Sequence, residues 1–178
     1  MNRHGQITKL FVMRQFSQIL NRVPFSKITV KQIVRRSMIH RNTFYNHFSD
    51  KYELLNQFLT HFIGPILLDL NYRKFNRHPF QTLVQMAQTP LDDVTMGTLL
   101  KFQMSDTEFS NTVTSFMFNF ILGHVNNSRA IWTIGQMNTV LLWNEFTGQH
   151  YDTFNDYRIL DRIIQTKKFP GLHARRIN

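Results

Sequence analysis

The stretch Ile28-Thr29-Val30-Lys31-Gln32-Ile33-Val34-Arg35-Arg36-Ser37-Met38-Ile39-His40-Arg41-Asn42-Thr43-Phe44-Tyr45-Asn46-His47-Phe48 decides the fold. Thr29 and Gln32 have the spacing of a capping box, in which each side chain satisfies a free backbone N–H at a helix start. A helix therefore begins at Thr29. Val30, Ile33 and Val34 fall on its inner face, and Lys31, Gln32, Arg35 and Arg36 on its outer face. A four-residue break, Ser37 to His40, separates it from a second helix over about 41–48. In that helix Phe44 and Phe48 stand four apart and share the buried side. Asn42, Thr43 and Asn46 lie opposite them. Two short helices joined by a tight turn, the second with a polar outer face, form a helix-turn-helix, here about residues 29–48.

Working outward, Val12, Phe16, Ile19, Leu20 and Val23 make one apolar stripe on an upstream helix from about Gln6 to Arg22. Pro24 stops it, because proline disfavours helical geometry in the residue before it. Downstream, Asp50 and Glu53 are spaced as cap and third residue of another helix. It carries Leu54, Leu55, Phe58 and Leu59 inward and ends near Gly64-Pro65. Helical spacing then predicts helices near 66–75, 80–88, 91–103, 107–126, 129–147 and 153–168. Thr112 to Val125 is apolar nearly all round, which suits a central or interface helix. Asp92-Asp93 reads as a helix-start or loop pair, and the tail from Thr166, with Lys167, Lys168, Arg175 and Arg176 around a Pro-Gly, as a loose segment. β-type alternation is scarce, so the fold class is all-α.

Of 178 residues, 17 are Phe and 8 are Met, and none is Cys. The absence of Cys excludes a disulfide framework, a thiolate metal site and a Cys nucleophile. The net charge of +10 is unevenly placed: residues 1–60 hold ten Lys/Arg against two Asp/Glu, residues 61–178 eleven against nine. A basic module on a near-neutral body suits a polyanion partner. His4, His61, His78, His124 and His150 show no ligand spacing, so no metal is expected. No phosphate-binding loop and no nucleophile–base pair stands out, so neither catalysis nor a cofactor is expected. MNRHGQITK does not read as a secretory signal. The longest apolar stretch, Phe116 to Val125, is interrupted by Asn119 and His124 and falls far short of the roughly 20 residues of a membrane span. A cytoplasmic, nucleoid-associated protein is the expectation.

The helix-turn-helix also carries a resemblance. Ile28-Thr29-Val30, Ile33, Arg41-Asn42-Thr43-Phe44-Tyr45-Asn46-His47-Phe48, Lys51 and Leu54-Leu55 together resemble the signature of TetR-type (tetracycline-repressor-like) transcriptional regulators over about residues 7–59. The resemblance implies an N-terminal three-helix DNA-binding domain over 1–50 and a C-terminal helical dimerisation and effector domain over 51–178. It implies that Lys31, Arg41, Asn42 and Tyr45 face bases in the major groove of double-stranded DNA, while Thr29, Thr43, His47 and Lys51 hold phosphates. Arg pairs bidentately with guanine and Asn with adenine, which is the chemistry such a role needs. The chain departs from the family pattern at three places: Met38 stands where the turn usually has Gly, His40 where Ser or Asn usually caps the recognition helix, and Val34 where a small residue is usual. A Met in that turn must accept a positive φ or take another backbone route.

Two functions follow as expectations. One is a homodimeric repressor on a near-palindromic operator, released by a small apolar effector in a pocket lined by Phe102, Phe116, Phe120, Trp132 and Met137. The other is a transcriptional activator or adaptor controlled by a protein partner on the C-terminal helices. A closed apolar cavity favours the first, and an exposed apolar face the second.

Overall fold

The computed structural model describes residues 3–91 and 94–170. Asp92-Asp93 and the tail from Gly171, with Arg175 and Arg176, lie outside the described residues. The described chain is α-helical but for two short strands.

Helix α1 (Arg3–Leu20) precedes a single 3-10 turn at Phe25–Lys27, then α2 (Val30–Arg36), α3 (Arg41–Tyr45) and α4 (Lys51–Phe62). The capping box at Thr29 and Gln32 is complete: the Thr29 side chain accepts from the Gln32 N–H, and the Gln32 side chain from the Thr29 N–H. Asp50 caps α4 by accepting from the N–H groups of Tyr52 and Glu53. Past α3 the helical bonding continues, Asn46 to Asn42 and Phe48 to Phe44, with His47 tightened onto Phe44. The expected span to Phe48 therefore holds in hydrogen bonding, although the regular helix stops at Tyr45.

Later boundaries shift for local reasons. Pro65 opens α5 (Gly64–Leu68), where a missing N–H is harmless, and does not close α4. The helix expected over 66–75 splits, because the Asn71 side chain accepts from the Lys74 N–H and starts α6 (Tyr72–Arg77) afresh. Helix α7 (Pro79–Met86) leads into an antiparallel pair, β1 (Pro90–Leu91) with β2 (Val94–Thr95). The helix expected from 91 consequently starts late, as α8 (Met96–Gln103), capped by Thr95. Gly97 allows this hairpin to close, since a Cβ there would lie 2.9 Å from the Ala87 carbonyl oxygen. Helix α9 (Thr107–Phe120) widens into a π-type turn at Ile121–Val125 and ends at Asn126 in left-handed geometry. Helices α10 (Ser128–Thr147) and α11 (Tyr157–Thr166) complete the described chain.

One hydrophobic cluster unites the two halves. Val12, Phe16 and Leu20 of α1, Phe25, Ile33, Phe44 and Phe48 pack with Leu54, Leu55 and Phe58 of α4, and with Met96, Leu99, Phe109, Phe116 and Phe120 beyond them. The boundary expected at residue 50 thus falls inside a continuous core. A second cluster joins Phe80 to Val140, Leu160, Ile163 and Ile164. There Asp161 accepts from the N–H groups of Phe80 and Gln81, at 2.8 and 3.1 Å, and ties α11 to the start of α7. Burial pushes the Asp161 carboxyl up from its ordinary value, against the opposing pull of those two bonds.

Candidate nucleic-acid interface

Phe44 and Phe48 anchor α3 on the core with their rings 5.4 Å apart. That anchoring turns the other side of the helix outward. Arg41, Asn42, Tyr45 and Asn46 are exposed, and Thr43 and His47 are half-buried. The Arg41 guanidinium donates to the Tyr45 hydroxyl at 3.1 Å and lies 5.5 Å over its ring. Tyr45 packs edge-on against Phe44 at 5.5 Å, so core, ring and guanidinium form one stack. Such a stack limits the rotamers Arg41 explores, which lowers the entropy lost when the fork pairs with a base.

The remaining cations flank this face. Lys31, Arg35 and Arg36 are exposed on α2, whose Ile33 is fully buried. Arg36 donates to Gln18 of α1 at 2.7 Å, an exposed tie between the two helices. Thr29 is exposed at the N-terminus of α2. Of the residues singled out from the sequence for bases and phosphates, Thr29, Lys31, Arg41, Asn42 and Tyr45 are thus exposed, and Thr43 and His47 half-buried.

Lys51 is the exception. Its ammonium donates to the carbonyls of Phe25 and Ser26, at 3.1 and 3.4 Å, and pairs with Glu108 of α9 at 2.7 Å. It also sits 4.6 Å over the Phe25 ring. Glu108 is held below the usual carboxylate range, first by the hydrogen bond from Lys51 and then by the one from Tyr52. Lys51 thus bridges the helix-turn-helix to the C-terminal helices.

Sequence reading missed two residues that reinforce the same junction. Gln103, fully buried at the end of α8, accepts from the Phe25 N–H at 2.9 Å and donates to the carbonyls of Leu20 and Val23. Asp106 accepts from the Ser26 N–H at 2.8 Å and caps α9 through the Phe109 N–H at 2.9 Å. Burial pushes the Asp106 carboxyl up, but the bonds from Ser26 and Phe109 together outweigh it and hold the group below its ordinary value. The cap alone is legible as an Asp before a helix. The reach to Ser26 spans 80 positions and leaves no periodic trace.

The turn resolves the question raised by Met38. It adopts φ +49°, the left-handed region, with its side chain 93% exposed. His40 stands at the N-cap of α3 without a side-chain capping bond.

The five residues expected to line an effector pocket do not converge. Phe116 and Phe120 are buried in the main core with rings 5.5 Å apart, Met137 is half-buried between the smaller clusters, and Trp132 is 75% exposed. Phe102 borders a hollow, open to solvent, shared with Gly97, Thr98, Lys101 and Phe154. Apolar spacing marked these side chains as inward-facing, but helices in a bundle point their stripes at different neighbours. Among the described residues no group of His, Asp or Glu is placed to hold a metal ion, and no helix is long and apolar enough to cross a membrane.

Residues 17–58 match the family described as bacterial regulatory proteins, tetR family. No curated protein matches the chain. The matched span runs from late α1 to α4 and contains every residue of the exposed face described above.

Proposed function

We propose that this chain, which belongs through its residues 17–58 to the tetR family of bacterial regulatory proteins, is a homodimeric repressor of transcription whose α3 reads a near-palindromic operator. DNA-binding transcription regulation is the family's activity; the dimer, the sign of control and the reading residues are this proposal. The observation that carries it is the exposed Arg41, Asn42, Tyr45 and Asn46 on a helix fixed from behind by Phe44 and Phe48. Arg41 and Asn42 supply bidentate pairing to guanine and adenine, Tyr45 and Lys31 further groove contacts. Thr29, Thr43 and His47 supply phosphate contacts, and Lys51 joins them once it exchanges Glu108 for a phosphate.

Control is read through α8. A small apolar effector seated against Phe102 and Phe154 presses on α8, and α8 ends in Gln103, which grips the link between α1 and α2. An effector that fits one setting of that link better than another shifts the separation of the two recognition helices. The openness of this hollow favours a second reading, in which a protein partner docks on the C-terminal helices and the chain activates transcription.

The test is selection of genomic DNA fragments with the purified protein and with an Arg41→Ala, Tyr45→Ala double variant. Recovery of a near-palindrome that the variant no longer prefers is expected. Equal binding of all fragments by both proteins contradicts the proposal. Selection that succeeds only in the presence of a cell extract supports the second reading.

A further inference from the structure

Charge in the C-terminal half is segregated. Helix α6 packs on α7, α7 on α11, and all three on α10. Arg73 and Arg77 of α6, Arg158 and Arg162 of α11, and Lys167 and Lys168 after it are exposed. The one carboxylate on α6, α7 and α11 is Asp161, 4% exposed and turned inward onto the Phe80 and Gln81 N–H groups. Asp152 and Asp156, just ahead of α11, are half-buried and accept from the backbone N–H groups of Asp152, Phe154 and Asn155. Among the described residues none of the six cations stands in an ion pair.

The six cations are neighbours. Arg158, Arg162 and Gln165 fall within roughly 60° of arc at 3.6 residues per turn, one stripe along the outer face of α11. The Gln165 side chain donates to the Arg77 carbonyl at 2.9 Å, which joins that stripe to the end of α6. Arg73 stands one turn before Arg77, and Lys167 and Lys168 closely follow Gln165. Local structure accounts for only part of this placement. The helix dipole favours cations at C-terminal ends, where Arg77 and Lys167 stand. Arg158 instead lies in the first turn of α11, with no acidic residue beside it there, and its guanidinium is 5.7 Å over the half-buried Tyr157 ring. Arg73 with Arg77, and Arg158 with Arg162, are like-charge pairs four apart on a helix, which destabilise it.

The chemistry of the patch selects its partner. A membrane-surface helix sinks an apolar face into lipid, but the apolar face of α11, Leu160, Ile163 and Ile164, is buried in the chain. A protein partner needs an apolar centre to its interface, and on α6 and α11 the one exposed large apolar side chain is Ile159, at 38%. Single-stranded nucleic acid needs exposed rings on which bases stack; Tyr72, Phe75 and Tyr157 are buried or half-buried. Guanidinium forks on a polar surface suit phosphates, and a duplex offers phosphates in a continuous row. The ten residues of α11 span about 15 Å, the length of about four phosphates of one strand at roughly 3.4 Å each. We infer that the outer faces of α6 and α11 form a second surface for double-stranded DNA, separate from α3, which grips phosphates without reading sequence. With α3 on one stretch of DNA, as proposed above, this surface holds another.

A full-length variant with Lys31→Gln, Arg35→Gln, Arg41→Ala and Tyr45→Ala silences the helix-turn-helix and isolates the second surface. It is expected to keep binding, in low salt, a random-sequence duplex of about 30 base pairs, roughly three helical turns. Adding Arg73→Gln, Arg77→Gln, Arg158→Gln and Arg162→Gln is expected to weaken that binding about tenfold or more. The salt dependence should flatten by about 0.9 per lost phosphate contact, roughly 3–4 in slope. Lys at the same four positions is expected to restore most of both. All eight positions are exposed, so the helical circular dichroism of the parent should persist. A readout that leaves the four Arg untouched is acetylation: duplex should shield Lys167 and Lys168 in the silenced protein. If the folded, silenced protein no longer binds duplex, or binds it equally after the four Arg changes with both lysines unshielded, the inference is overturned. Binding to phosphatidylserine-containing vesicles and not to duplex overturns it in favour of an anionic membrane. Operator selection by the parent is untouched by these outcomes, so the two readings fail separately.

Discussion

Met38 concentrates the residue-scale argument. Left-handed geometry costs a residue with a Cβ roughly 1–2 kcal/mol, and a side chain 93% exposed recovers none of it through packing. Met38→Gly removes the crowding but enlarges the freedom of the unfolded chain. A net gain of about 0.5–1 kcal/mol in unfolding free energy is expected from urea denaturation; a loss would show that the Met38 side chain contributes a contact. His40→Ser supplies the capping oxygen that α3 lacks and is expected to add about 1 kcal/mol. Arg41 belongs to the proposed function. Removing a bidentate base contact costs about 1–3 kcal/mol of discrimination, so Arg41→Ala is expected to weaken the selected site at least fivefold. Binding to random DNA should change far less, and equal losses on both would reassign Arg41 to phosphate.

At the scale of elements, the junction between α8–α9 and the turn at Phe25–Lys27 decides how the reading module is held. Gln103, Asp106 and Lys51 bind six backbone groups of residues 20–26, and Glu108 pairs with Lys51. Asp106 is charged and held below its ordinary value. Its contribution is therefore complete above the unfolded carboxylate range, near pH 4, and is lost as pH falls through its lowered folded value. Asp106→Asn is expected to destabilise the protein by about 1–3 kcal/mol at neutral pH. The gap from the parent should narrow below pH 4 in thermal unfolding; a gap constant with pH would mean that the charge is immaterial. In the proposed complex Glu108 competes with a DNA phosphate for Lys51. Glu108→Gln is expected to tighten DNA binding up to about fivefold, the range of an exposed ion pair. Weaker binding instead would show that Glu108 positions the module and does not restrain Lys51.

Across the whole molecule, legibility followed the range of the interactions. The helix-turn-helix was readable because its determinants are local: Thr29 with Gln32, Asp50 with Glu53, Phe44 with Phe48. After Phe62 the helical class was readable but the boundaries were not, and the helix expected over 66–75 is two, α5 and α6. Single residues such as Asn71 and Thr95 restart helices there, and the hairpin at Pro90–Leu91 and Val94–Thr95 interrupts a run of helical spacing. The ties of Gln103 and Asp106 across some 80 positions were invisible. So was the direction of Trp132, because periodicity fixes which residues share a face but not what that face meets. Lys51 shows the same limit: its motif position implies a phosphate, and its surroundings supply Glu108.

The proposed homodimer presents one α3 per copy and must read two half-sites on one face of the duplex, at a spacing fixed by the protein. The measurement that bears on this most directly is binding to the selected operator and to the same operator with five base pairs inserted at its centre, half a helical turn. The insertion leaves every base contact available but rotates one half-site to the opposite face. High-affinity binding is expected on the parent site and a fall to the level of a single half-site on the lengthened one. Undiminished binding to the lengthened site would contradict a symmetric pair of recognition helices held at fixed separation.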